Sequence, residues 1–231
     1  MPELSTKLHT YMLDSSKRSN SLPRRIARAI RDSTQPWIYG TEWGAIRYVP
    51  PLKHTLEHWV VPYVKSDHVA VEIGPGGGRW TRHQLGFSKL YAVEYYDPLL
   101  SELKKNFSKH KNIIFVKNNG FDFPNIADES VDFCFSFGVF VHFEFEMVED
   151  YLKNINRIMK GNGNIVIHYS DKTKLMAREE ESFGHNTPEL MRRAVLAHGY
   201  TILEEDTTTL WHSSLIRFAK LLPVTTAIGE S

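Results

Sequence analysis

The hydrophobic pattern changes character about a quarter of the way along the chain. From residue 68 onward, short apolar runs rich in Val, Ile, Phe and Tyr alternate with longer segments whose apolar residues recur at helical spacing. This alternation predicts strands at His68 to Ile73, Leu90 to Glu94, Ile113 to Val116, Val131 to Phe137 and Asn164 to Tyr169. Helices are expected at about 79–86, 97–109, 145–160 and 187–198. The run VDFCFSF is apolar on both alternating faces, which places it in the middle of a sheet covered by helices on each side. Tyr200 to Trp211 and Ser213 to Lys220 both read as strands and lie too close together for a crossover helix, so they should pair antiparallel. The expected fold is α/β: a Rossmann-like, doubly wound, mostly parallel seven-stranded sheet with an antiparallel C-terminal strand pair and an N-terminal helical extension.

Residues 1–60 form that extension, 61–222 the core, and 223–231 a frayed tail. In the extension Lys17, Arg18, Arg24, Arg25, Arg28 and Arg31 crowd around Ile26 and Ile30, which stand four apart on one face of a short helix. Such a helix either packs on the core with its arginines solvated, or lies on a membrane or a phosphate.

Composition narrows the class. The 231 residues, 42% hydrophobic, suffice for one sizeable core and are few for two. Lys and Arg total 28 against 27 Asp and Glu, so charge gives no case for a protein that coats nucleic acid. The single cysteine, Cys134, excludes an internal disulfide and a multi-thiolate zinc site, fits a reducing compartment and points to the cytoplasm; its place between Phe133 and Phe135 marks it as core. No apolar run has the length of a signal peptide or a membrane span.

The candidate chemistry begins where the first strand ends, in VAVEIGPGGGRWT. Gly74, Gly76 and Gly78 remove Cβ atoms from a strand-to-helix turn, permit positive φ and expose backbone amides to a ligand, with Pro75 and Trp80 in the same turn. Glu72 can interact, directly or through water, with an ammonium group. Glu94 ends the second strand 20 residues after Gly74, the placement that brings a carboxylate to ribose hydroxyls, and Tyr95 follows it. A dinucleotide fingerprint starting at Gly74 requires glycine at position 79, where this chain has Arg79.

On these residues, 68–170 resemble the core of the class I S-adenosylmethionine-dependent methyltransferases. The family's acidic residue and alternating glycines are matched by Glu72, Gly74, Gly76 and Gly78, and its ribose ligand by Glu94. The resemblance implies an adenine-contacting turn at Asn119, Gly120 and Phe121, with Asn119 in place of the frequent acidic residue. It implies that Ser136, Phe137 and Gly138 line cofactor and substrate. YGTEWG, GPGGGRWT, VFVH and HYSD look more narrowly like a bacterial group acting on sugars and other small metabolites. The function so implied is transfer of a methyl group from S-adenosylmethionine to an oxygen, or else a nitrogen, of a small metabolite or sugar-containing compound, leaving S-adenosylhomocysteine. An RNA or protein methyltransferase and a non-catalytic S-adenosylmethionine-binding module are the alternatives.

Candidate bases sit at strand exits, where open α/β sheets bind ligands. His142 is the first choice and His168 the second; Tyr169, Asp171 and His212 are candidate substrate contacts. Tyr39 and Trp43, beside Gly40 and Gly44, are candidates for a lid. No short ligand spacing suggests a metal.

Overall fold

The computed structural model describes residues 45–221. The arginine-rich segment around Ile26 and Ile30, the lid candidates Tyr39 and Trp43 and the tail 223–231 lie outside the described residues. The helix α1 (Pro50–Trp59) opens on two prolines, whose fixed φ suits a first helical turn. It leads into β1 (Val69–Ile73), β2 (Lys89–Glu94), α2 (Asp97–Asn106), β3 (Ile113–Lys117) and β4 (Val131–Ser136). Then follow α3 (Phe145–Ile158), β5 (Met159–Ser170), α4 (Leu175–Glu179), α5 (Pro188–Ala197), β6 (Tyr200–Asp206) and β7 (Ser213–Lys220).

The strands form one seven-stranded sheet in the order β3-β2-β1-β4-β5-β7-β6. The first five are parallel; β7 runs antiparallel to both β5 and β6. The order reverses between β1 and β4, so the chain leaves those two strands in opposite directions and opens a crevice at their C-terminal ends.

Alternation along the strands divides the core into two layers. From β4, Phe133 and Phe135 face one layer with Leu56 and Trp59 of α1 and Leu103 of α2. Cys134 faces the other layer, with Leu152 and Ile155 of α3 and Met191 and Val195 of α5. Apolar side chains on both faces are what a central strand requires, and all of Phe133 to Ser136 are buried.

Three expected elements take another form. The helix expected at 79–86 is a single 3₁₀ turn, Thr81–His83. Gly74, Gly76, Gly77, Gly78 and Gly86 crowd that connection, and glycine disfavours helix by about 1 kcal/mol each. The strand expected over Asn164 to Tyr169 begins earlier: residues 161–163 are absorbed into β5, which starts directly after α3 and meets β4 through a register shift. There a Cβ on Gly163 would lie 2.5 Å from the Met159 methyl and 3.0 Å from the Val131 carbonyl oxygen. The strand expected over Tyr200 to Trp211 stops at Asp206, whose carboxylate accepts the amides of Thr208 and Thr209, both at 2.9 Å, and turns the chain.

Candidate active site

A cavity of about 860 Å³ occupies the crevice, within the size range of small-molecule sites. One end is built by the glycine turn. Gly74, Gly76 and Gly78 all have positive φ (66°, 55° and 97°). Gly74 and Gly76 line the cavity with Pro75 and Trp80, whereas Gly78 faces the protein: a Cβ there would stand 2.0 Å from the Phe107 ring. Gly78 therefore permits close packing of the turn against α2 and does not line the cavity.

The two carboxylates differ in the same way. Glu94 lines the cavity, and each oxygen accepts one backbone amide, Gly76 at 3.0 Å and Tyr96 at 2.9 Å. Each oxygen keeps a further lone pair, so the carboxylate can accept hydroxyls from a ligand. Glu72 is buried behind the turn, 2% exposed, and accepts the Thr81 hydroxyl at 2.6 Å. Burial pushes its carboxyl up to about 8, against the lowering effect of Thr81. Glu72 is not among the residues lining the cavity; it holds the turn from below.

Beyond β3, Asn119, Gly120 and Phe121 line the cavity with Tyr95. The Asn119 side-chain oxygen is taken up within its own turn by the amides of Phe121 and Asp122, both at 3.3 Å. Its neighbour Asn118, which sequence reasoning passed over, is the buried one. Its Nδ2 donates to the Tyr151 hydroxyl at 3.3 Å, while its Oδ1 is buried with no hydrogen-bond partner among the described residues. A buried orphan acceptor in a cavity wall calls for a donor from the ligand. An exocyclic amine suits it.

Phe137 and Gly138 line the middle of the cavity, but Ser136 does not. The Ser136 hydroxyl donates to the Ile73 carbonyl at 3.1 Å and ties β4 to β1. Phe137 stacks on the His168 ring with centroids 3.9 Å apart.

The far end gathers His142, His168 and His212. The His168 Nδ1 accepts the Gly138 amide at 3.0 Å, which puts the proton on Nε2, and Nε2 then donates to the Ser213 hydroxyl at 2.5 Å. Both nitrogens are engaged with protein, so the expectation of a base at His168 is revised: the ring fixes the Gly138 amide and the β4 exit. In His142 the polarity is reversed. Its Nδ1 donates to the Ser182 carbonyl at 2.9 Å, so Nε2 carries the lone pair. Burial lowers the His142 pKa, and the ring is neutral near pH 7.

Tyr169 and Asp171 do not line the cavity. Tyr169 follows His168 on the strand and so points to the opposite face, into the core layer with α3 and α5. Asp171 is buried, accepting the hydroxyls of Ser214 at 2.7 Å and Thr173 at 2.5 Å. Sequence reasoning missed Glu180 and Phe183 after α4, and Trp211 beside His212, all of which line this end. No signal in the sequence marks α4 as a cavity wall. Among the described residues no cluster of His, Cys, Asp and Glu suits a metal, and no helix is long and apolar enough to cross a membrane.

A doubly wound sheet with a glycine turn, a strand-end carboxylate and a cavity at the switch point is the arrangement in which α/β proteins bind nucleoside cofactors. Residues 71–167 match the methyltransferase domain family model. Solved structures with similar folds include a SAM-dependent methyltransferase from Aquifex aeolicus, 17% identical, with 71% of this chain and 88% of that one covered and a TM-score of 0.54. Another is an S-adenosylmethionine-dependent methyltransferase from Clostridium acetobutylicum, 12% identical, 74% and 90% covered, TM-score 0.61. A third is the mitomycin 7-O-methyltransferase MmcR, 12% identical, 77% and 60% covered, TM-score 0.56. Identities this low speak for the fold alone. The search of curated proteins finds no significant match. Residues 71–167 are thus similar to a methyltransferase domain on a Rossmann-like α/β fold, and the two bacterial structures of this fold named above are S-adenosylmethionine-dependent.

Proposed function

We propose that this protein is an S-adenosylmethionine-dependent methyltransferase that methylates a hydroxyl oxygen of a small metabolite, with His142 as the general base. The observation that carries the reading is the fixed tautomer of His142 on the wall of the same cavity as the glycine turn. When bound, S-adenosylmethionine supplies a methyl group made electrophilic by its sulfonium.

The residues divide the remaining work. Glu94 takes the ribose hydroxyls, Asn118 accepts the adenine amine through its orphaned Oδ1, and Phe121 and Tyr95 flank the base. The glycine turn, its Gly74 and Gly76 amides donating to Val93 and Glu94, offers a surface free of Cβ atoms to the methionine end, with Glu72 and Thr81 stiffening the turn from behind. Trp80 and Phe137 pack together, centroids 4.5 Å apart, and keep water from the centre of the cavity. His142 Nε2 removes the acceptor's hydroxyl proton as the oxygen becomes bonded to carbon. Its Nδ1–H keeps donating to the Ser182 carbonyl, which stabilises the imidazolium that forms. A base so placed contributes about 100-fold to 10,000-fold. An oxygen acceptor is also what the name of MmcR specifies for that protein.

The test is release of S-adenosylhomocysteine by purified protein supplied with S-adenosylmethionine and a panel of hydroxylated small molecules. Turnover with members of the panel, lost in His142→Gln, supports the reading. No product with any hydroxylated acceptor, or full turnover by the variant, contradicts it.

A further inference from the structure

The acceptor end of the cavity is walled by three segments that are distant in sequence: the β4 exit with His142, the α4 region with Met176, Glu180 and Phe183, and the β6–β7 hairpin with Trp211 and His212. The Phe183 ring makes edge contacts with both imidazoles, at 5.5 Å to His142 and 5.3 Å to His212. Glu180 is anchored in the same wall, its Oε1 accepting the Ser182 hydroxyl at 2.9 Å while the Ser182 carbonyl holds His142.

Among the described residues no lysine or arginine is paired with this carboxylate; Lys172 donates to the Glu180 backbone carbonyl, at 3.0 Å. Burial depresses the pKa of both His142 and His212, and the nearby Glu180 only partly offsets that, so both rings are neutral near pH 7. Lys174 is turned elsewhere, donating to the carbonyls of Leu210 at 2.8 Å and Ser213 at 2.6 Å and lying 3.6 Å from Asp171. Arg79 is the one lysine or arginine among the described residues lining the cavity, and it belongs to the glycine turn. At the rim, Met176 and Trp211 are 50% and 71% exposed, an apolar border continuous with the wall. A carboxylate beside aromatic rings, with no lysine or arginine paired to it among the described residues, is the arrangement that selects an ammonium group.

We propose that the acceptor is an amine-bearing small molecule with an apolar body, its ammonium held by Glu180 against Phe183 and Trp211 and its hydroxyl presented to His142. An anionic acceptor meets repulsion from Glu180, and a neutral one leaves its charge unpaired. The proposal rests on the O-methylation reading and adds to it the class of acceptor.

Tyramine-like and amino-cyclohexanol probes, each with its N-acetyl counterpart, test it with protein saturated in S-adenosylhomocysteine. Thermal shift reads binding, and initial rates with S-adenosylmethionine read selectivity. The amines are expected to bind at least about tenfold more tightly than their acetylated counterparts, the scale of a lost charged hydrogen bond. Glu180→Gln should remove that preference without altering S-adenosylhomocysteine affinity; a purely structural role would leave the ratio unchanged. Equal binding of the acetylated probes, an unchanged ratio in Glu180→Gln, or no binding by any amine overturns the proposal. If acetylated hydroxyl compounds are methylated in a His142-dependent way, the ammonium site fails and the base stands; if no hydroxyl compound is methylated, the O-methylation reading itself fails.

Discussion

Glu72 and His142 show how far burial decides what a side chain can do. Buried glutamate at Glu72 keeps its proton up to about pH 8, whereas an unfolded chain releases it near about 4.3. Folding therefore takes up a proton between those values, and this group's contribution to stability is complete at low pH and lost as pH rises toward 8. Glu72→Gln should remove that slope: in urea titrations of cofactor-free protein, the stability difference, variant minus wild type, is expected to grow from pH 5 to pH 8. A constant difference would contradict the burial account. For His142 the sign is opposite. The base must be neutral, and its pKa is lowered by burial, so kcat should fall only below the usual histidine range as pH drops, and His142→Gln should lose the limb together with about 100-fold or more in kcat. A limb above pH 6.5 would contradict it. Both residues were legible as chemistry in the sequence. What was not legible was the partner of each, because Thr81 and Ser182 reach them through tertiary packing. Nor does alternation in a strand with two buried faces say which of His168 and Tyr169 meets the cavity.

At the scale of elements, the five parallel strands could be read closely because a buried strand must be apolar on both faces. The connection after β1 could not, since its form follows from glycines packed against α2 and from Thr81 reaching back to Glu72. Gly78 carries that packing. Alanine there must adopt φ near 97° and push the Phe107 ring from 2.0 Å, so Gly78→Ala should destabilise by more than about 1 kcal/mol in urea unfolding. Gly138→Ala, with φ near 80° and nothing within 4 Å of its added methyl, should cost less. Equal costs would show that backbone conformation, and not the Phe107 contact, sets the penalty. The short helix α4 escaped notice for a different reason. Its exposed Leu175 and Met176 give no amphipathic stripe, and its role as a wall depends on Lys172 holding the carbonyls of Ala177 and Glu180 at 2.7 and 3.0 Å.

At the scale of the whole molecule, the sheet brings the residues proposed to hold cofactor and acceptor to one edge because strand order reverses between β1 and β4. The glycine turn and Glu94 come from one side of the switch point, Gly138 and His142 from the other, and a single cavity joins them. The fold and the glycine-turn end of the cavity follow from local motifs and were open to sequence reasoning. The acceptor end is assembled from the β4 exit, α4 and a hairpin, and such an assembly has no local signature. The central claim is that the cofactor sits on this turn with Glu94 as its ribose carboxylate. Calorimetric titration of S-adenosylmethionine into wild-type protein and Glu94→Ala tests it most directly. One site per chain is predicted, weakened about tenfold to 100-fold by the loss of a charged hydrogen-bond acceptor. No binding to the wild type, or equal affinity in the variant with its fold intact, would contradict it.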